Sequence, residues 1–117
     1  MSRHVALVLT SAVAGERAAT ALKLAERLLA RGHRVSVFAH GQGVGLTAGT
    51  DDHAAAAAGL LRRGVHGGTL DWVVDGQAAA RLGVQGTQAP GVIPGDHSDL
   101  WAFVRAADVV VSVGGES

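Results

Sequence analysis

Cysteine is absent from this chain, and proline appears only twice. Without a thiol there can be no disulfide, no thiolate metal site, and no persulfide or thioester carried on the chain itself. Aromatic residues make up 3% of the sequence, so a core has to be built from Val, Leu and Ala. Neither sign of charge is in surplus: 10 Lys and Arg balance 10 Asp and Glu. That gives no electrostatic reason to expect nucleic acid or an anionic membrane surface as a partner. A near-neutral chain is also poorly protected against self-association, which favours an oligomer. No apolar run reaches the length of a bilayer crossing.

What is present reads as one compact domain. The 117 residues are 48% apolar and 17% charged, a composition that folds and does not stay disordered. Met1 to Gly15 imitates a secretory signal, with Arg3, an apolar run and Ala12-Val13-Ala14. The rival reading, a buried first strand at Val5 to Leu9, is preferred because the following segments complete a βαβ unit that cleavage would destroy. A cytoplasmic location is therefore expected.

The run His4 to Thr10 (HVALVLT) is continuously apolar, as a strand covered on both faces should be. Glu16 to Arg31 carries an apolar stripe at helical spacing and ends before Gly32. Arg34 to Ala39 is a second strand, parallel to the first through a right-handed crossover. His40 to Asp52 is a long Gly-rich connection, and connections of that length tend to have a use. A second helix, His53 to Arg63, is expected to stop at Gly64. Thr69 to Val74 is the third strand, after which Asp75 caps a short helix that ends at Gly83. Val84 to Gly95 is turn-rich, with room for a short edge strand at Val92-Ile93, since Pro90 and Pro94 exclude a central one. A last helix starts at Asp96 or Ser98, and Asp108 to Val113 is the final strand. The pattern is a doubly wound, mostly parallel five-stranded α/β sheet with helices on both faces, in a single domain over residues 1–117.

Ligands in such sheets bind beyond the carboxyl ends of the strands. The first strand delivers Thr10 and Ser11, the second His40 with Gly41 to Gly45, the third Asp75 and Gly76, and the last Gly114, Gly115 and Glu116. Each has a plainer reading. Asp75 is first a helix N-cap, and Thr10 and Ser11 satisfy backbone at a strand end. His40 has the pKa range for acid–base work or is only a loop histidine. Gly41, Gly43 and Gly45 either cradle an anion or permit turns. The spacing does not meet G-x-G-x-x-G, and neither a Walker motif nor G-x-S-x-G is present. The six histidines are scattered without a ligand pattern, Asp96-His97 reads as a capping cluster, and no metal or other cofactor is expected.

The order of several short features resembles the DsrE/DsrF/TusD family of sulfur-relay proteins over nearly the full length. They are the apolar first strand with its Ala/Leu helix, the turn Arg31-Gly32-His33-Arg34-Val35, and Val37-Phe38-Ala39 leading to Gly43-Val44. To these are added the strand–helix junction ending Arg81-Leu82-Gly83-Val84 and the closing Ala107-Asp108-Val109-Val110. The resemblance implies a flavodoxin-like fold and a homo-oligomer (trimer or hexamer) or a hetero-oligomer of related subunits. Active members carry sulfur as a persulfide on a cysteine at the third strand–helix junction, and register from Arg81 to Val84 places that position at Asp75. A carboxylate cannot hold sulfane sulfur, so sulfurtransfer by this chain alone is not expected. The family also includes cysteine-free subunits that scaffold or dock partners. The leading expectation is such a non-catalytic, oligomeric adaptor in sulfur handling. The alternative is a small-ligand or anion binding protein, or an acid–base enzyme, using the strand-end pocket around Asp75 and His40. A purely structural protein is the third reading.

Overall fold

A computed structural model describes residues 3–10, 16–48, 52–66 and 69–113. Five strands form one sheet: β1 (His4–Leu9), β2 (Arg34–Ala39), β3 (Leu70–Asp75), β4 (Val92–Gly95) and β5 (Val109–Val113). The order across the sheet is β4-β3-β2-β1-β5, and every neighbouring pair is parallel. The helices are α1 (Glu16–Ala30), α2 (Asp52–His66), α3 (Gly76–Arg81) and α4 (His97–Ala106). Among the described residues no helix is long and apolar enough to cross a membrane.

Handedness sorts the helices between the faces. Three right-handed crossovers step from β1 through β4 in one direction, which puts α1, α2 and α3 on one side. The last crossover runs back from β4 past three strands to β5, so α4 lies on the other, where it rests on β1 and β2. The two layers are unequal. On the three-helix side, Val5, Leu7, Leu9, Val35, Val37, Leu70, Trp72 and Val74 bury against Leu22, Ala25, Ala57, Leu60 and Leu61. On the α4 side, Ala6, Ser36, Phe38 and Val73 are buried, yet α4 has no buried residue of its own.

Most bounds fall within one or two residues of the sequence reading, and the larger differences have physical reasons. The second helix continues through Gly64 to His66. Gly64 is there for space: a Cβ on it would sit 2.6 Å from the Leu70 Cβ and 3.3 Å from Leu29 Cδ1. The glycine is a point of close approach between α2, β3 and α1, not a stop signal. The Gly-rich connection, read as a loop, contains a 3₁₀ turn over Gly41–Gly45. The edge strand foreseen at Val92-Ile93 is β4, with Pro94 inside it, where the outer edge needs no donor.

A polar chain ties the amino ends of three strands together beneath α4. Ser36, fully buried, donates its hydroxyl proton to Asp71 Oδ2 at 3.2 Å, and Asp71 is also held by Arg34 at 2.8 Å. The hydroxyl has a single proton, so His4 Nε2, 2.7 Å from Ser36 Oγ, must be the donor in that contact. Replacing Ser36 with alanine removes both of these contacts while Arg34 still holds Asp71, and urea denaturation should show a loss of about 0.5–1.5 kcal/mol.

Candidate functional site

Because all strands run the same way, their carboxyl ends share one rim. His40 leaves β2 there in extended conformation, and Asp75 ends β3. Asp75 is buried and caps α3: its Oδ1 accepts from the Gln77 amide at 3.0 Å and the Ala78 amide at 3.5 Å. Its carboxylate is near enough for His40 to feel its charge. The third member of the group is His97, the first residue of α4, placed by β4 and its short turn. Asp96 caps α4, accepting from the Ser98 amide at 2.9 Å, while Asp99 accepts from the Asp96 amide at 3.0 Å. Hydrogen bonds from the Ser98 hydroxyl and amide hold the Asp96 carboxyl below the usual carboxylate range.

The rings form a triangle. Phe38 lies 6.0 Å from both His40 and His97, and the two imidazoles meet edge-on at 6.2 Å. Burial lowers the His40 pKa below its ordinary 6.5; the nearby His97 lowers it further, and the Asp75 carboxylate raises it. His40 is thus neutral near pH 7 and able to accept a proton. Among the described residues no three His, Asp or Glu side chains are grouped to hold a metal ion.

The sign of the linkage follows from that shift. His40 binds its proton less readily in the fold than in the unfolded chain. Its contribution is complete above pH 6.5 and is lost as the pH falls through the folded value. The slope of unfolding free energy between pH 7.5 and 5.5 should therefore flatten in His40→Gln, as measured by denaturant titration across that range.

Thr10 and the glycines form a second group on the same rim. The Thr10 amide bonds to Val113 O at 3.1 Å, and the Thr10 carbonyl lies 4.0 Å from where a Gly41 Cβ would stand. Gly41 adopts φ +57°, and a Cβ on Gly43 would come within 2.6 Å of the Leu9 carbonyl. The Gly43 amide is spent on His40 O, and the Leu46 amide on Gly43 O. These glycines serve a turn packed onto the end of β1, and the expectation of an anion cradle gains nothing from them. Ser11 and Gly114, and with them Gly115 and Glu116, lie outside the described residues.

Of the residues named from sequence, His40 and Asp75 come together, with Gly76 next along the chain, while Thr10, Gly41 and Gly43 gather at the adjoining strand end. His97 was missed as part of this group. The signal was present: β4 also has a carboxyl end, and Asp96-His97 follows it directly. The cap role of Asp75 is visible in its two amide contacts. Asp75→Ala should lower stability by about 0.5–2 kcal/mol in thermal or urea melts, a cap-sized loss.

The architecture is that of a small doubly wound α/β domain with an ionisable rim and no thiol. The chain belongs to the DsrE/DsrF-like family, whose model matches residues 3–113. Its fold is similar to that of the ychN protein from E. coli, at 17% identity over 96% of this chain and 99% of that one, with a TM-score of 0.75. Protein MTH1491 of Methanobacterium thermoautotrophicum, of unknown function, is similar at 12% identity over 95% and 99% of the two chains, also at 0.75. BT1422 from Bacteroides thetaiotaomicron, a conserved protein of unknown function, follows at 14% identity, 93% and 94% coverage and 0.64. No curated protein matches the chain.

Proposed function

We propose that this protein is a non-catalytic subunit in sulfur handling, working by assembly. It would associate as a trimer or hexamer of its own copies, or beside related subunits, and dock a partner that carries the reactive thiol. The observation that carries this reading is the uncovered face of the sheet. Five strands span roughly 20 Å, whereas one helix with its side chains is about 10 Å across. A single α4 therefore covers about two strands, and it rests on β1 and β2. The margins are left open: Ile93 of β4 is 56% exposed, Val110 of β5 45%, and Trp101 on α4 itself 58%. All-parallel sheets are normally covered on both faces. β4 guards its edge with Pro94, but β5 (VVVSV) has neither a charge nor a proline to blunt its own.

The chemistry of the rim supports a supporting role. By register from Arg81 to Val84, Asp75 falls at or next to the position where the resemblance puts a sulfur-carrying cysteine, and its carboxylate is engaged in capping. With no thiol in the chain, sulfane sulfur has to be carried by a thiol outside it. Native purification followed by persulfide-specific labelling tests this. Label is expected on a co-purifying, cysteine-bearing partner and not on this chain. A strict monomer that brings no such partner would remove the reading.

A further inference from the structure

The rim has a cavity, and it does not lie at the histidines. It opens on the other face of β3, where the connection between α3 and β4 folds back over the strand end. Val74, Gly76, Ala79, Gln85, Gln88, Val92 and Pro94 line a space of about 320 Å³, at the small end of the range for ligand sites. The folded-back segment is firmly braced. The Gln88 side-chain amide donates to Val44 O at 2.9 Å and to Val84 O at 3.2 Å, and its carbonyl accepts from the Thr47 hydroxyl. The Ala89 amide bonds to Thr47 O at 2.9 Å, and the Val84 amide to Ala79 O at 2.9 Å. A wall held by this many contacts is preformed, which spares a ligand the cost of ordering it.

The lining decides what fits. Among the described residues no ionisable side chain lines the cavity. The nearest carboxylate named above, Asp75, is turned into the α3 cap. An ion entering would lose its hydration without gaining a counter-charge. Val74, Ala79, Val92 and Pro94 provide an apolar wall, and Gln88 is already spent on the fold. That leaves the Gln85 amide as the polar side chain on offer.

A second observation lies beside it. Trp72 is on the same face of β3 as Val74 and pairs in register with Val92, two of the lining residues. It is 2% exposed, and its indole N–H has no hydrogen-bond partner among the described residues. The indole stands next to these lining residues and not among them, so it is placed to report on the space by its fluorescence.

We infer that this cavity binds a neutral, largely apolar small molecule. This is a site separate from the His40–His97–Asp75 group, and it does not depend on the assembly reading. Phenylnaphthylamine is the neutral probe, and anilinonaphthalene sulfonate is the same framework with a fixed negative charge. In Trp101→Phe the only indole is Trp72, so dye emission excited through tryptophan reports occupancy beside it. Saturable binding of the neutral dye is expected, with the sulfonate at least tenfold weaker. Val92→Phe, a change on a half-buried edge strand, and Ala79→Leu should each weaken the neutral dye at least tenfold. Ile93→Ser, on the opposite face, should leave it unchanged. Equal binding of both dyes, undiminished binding in Val92→Phe, or loss of binding in Ile93→Ser would each overturn the site.

Discussion

Replacing Trp72 with alanine should lower the unfolding free energy by about 3–5 kcal/mol. The indole is among the largest fully buried side chains and sits at the centre of the three-helix layer, between Val37 of β2 and Val92 of β4 in register. Its removal leaves a cavity that a sheet fixed by four parallel pairings cannot close. Domains of this size have about 5–15 kcal/mol in total, so the variant should lose a large share of its stability and unfold at a clearly lower urea concentration than the parent. Far-ultraviolet circular dichroism in urea is the suitable readout, because Trp101 would be the only indole left to fluoresce. Trp72→Phe separates shape from polarity. It keeps an aromatic ring and deletes an N–H that has no partner among the described residues, so its cost should be well below that of alanine. Losses of equal size in the two variants would show that the indole N–H is satisfied after all.

Trp101→Glu should act on association and leave folding alone. Trp101 is 58% exposed on a helix that buries none of its residues, so the single chain loses little packing when it changes. In an assembly that covers this face, the same position becomes a central aromatic contact, and replacement puts an unpaired carboxylate into a desolvated patch. A penalty of about 2–4 kcal/mol per interface corresponds to roughly 30- to 1,000-fold weaker association. Sedimentation velocity over a concentration series should show the variant dissociating where the parent does not, with unchanged circular dichroism. Because assembly stabilises by mass action, the melting temperature of the parent should rise with concentration and that of the variant should not.

How far the sequence could be read depended on whether a feature was local. The strand Arg34–Ala39, the cap at Asp75 and the edge strand around Val92 follow from short patterns: an apolar run, an acid before a helix, prolines that bar a central position. Gly64 was misread because a glycine after a helical stripe looks the same whether it stops a helix or lets one pass close to Leu70 and Leu29. That distinction is tertiary. The rim was legible in outline, since parallel strands must present their ends together, but its membership was not. His97 joins His40 and Phe38 only because the last crossover reverses direction and sets α4 on the far face. The split fate of the tryptophans, Trp72 buried and Trp101 exposed, depends on that same reversal. The 320 Å³ cavity has no local signal, because it is made by the α3–β4 connection folding onto Val44 and Thr47.

The uncovered α4 face is the feature on which the functional account depends, and the solution mass of the natively purified protein tests it most directly. Multi-angle light scattering across a micromolar concentration range should return a multiple of the 11.8 kDa chain or a stable complex with related subunits. A single-chain mass at every concentration, with no partner retained, would contradict the account.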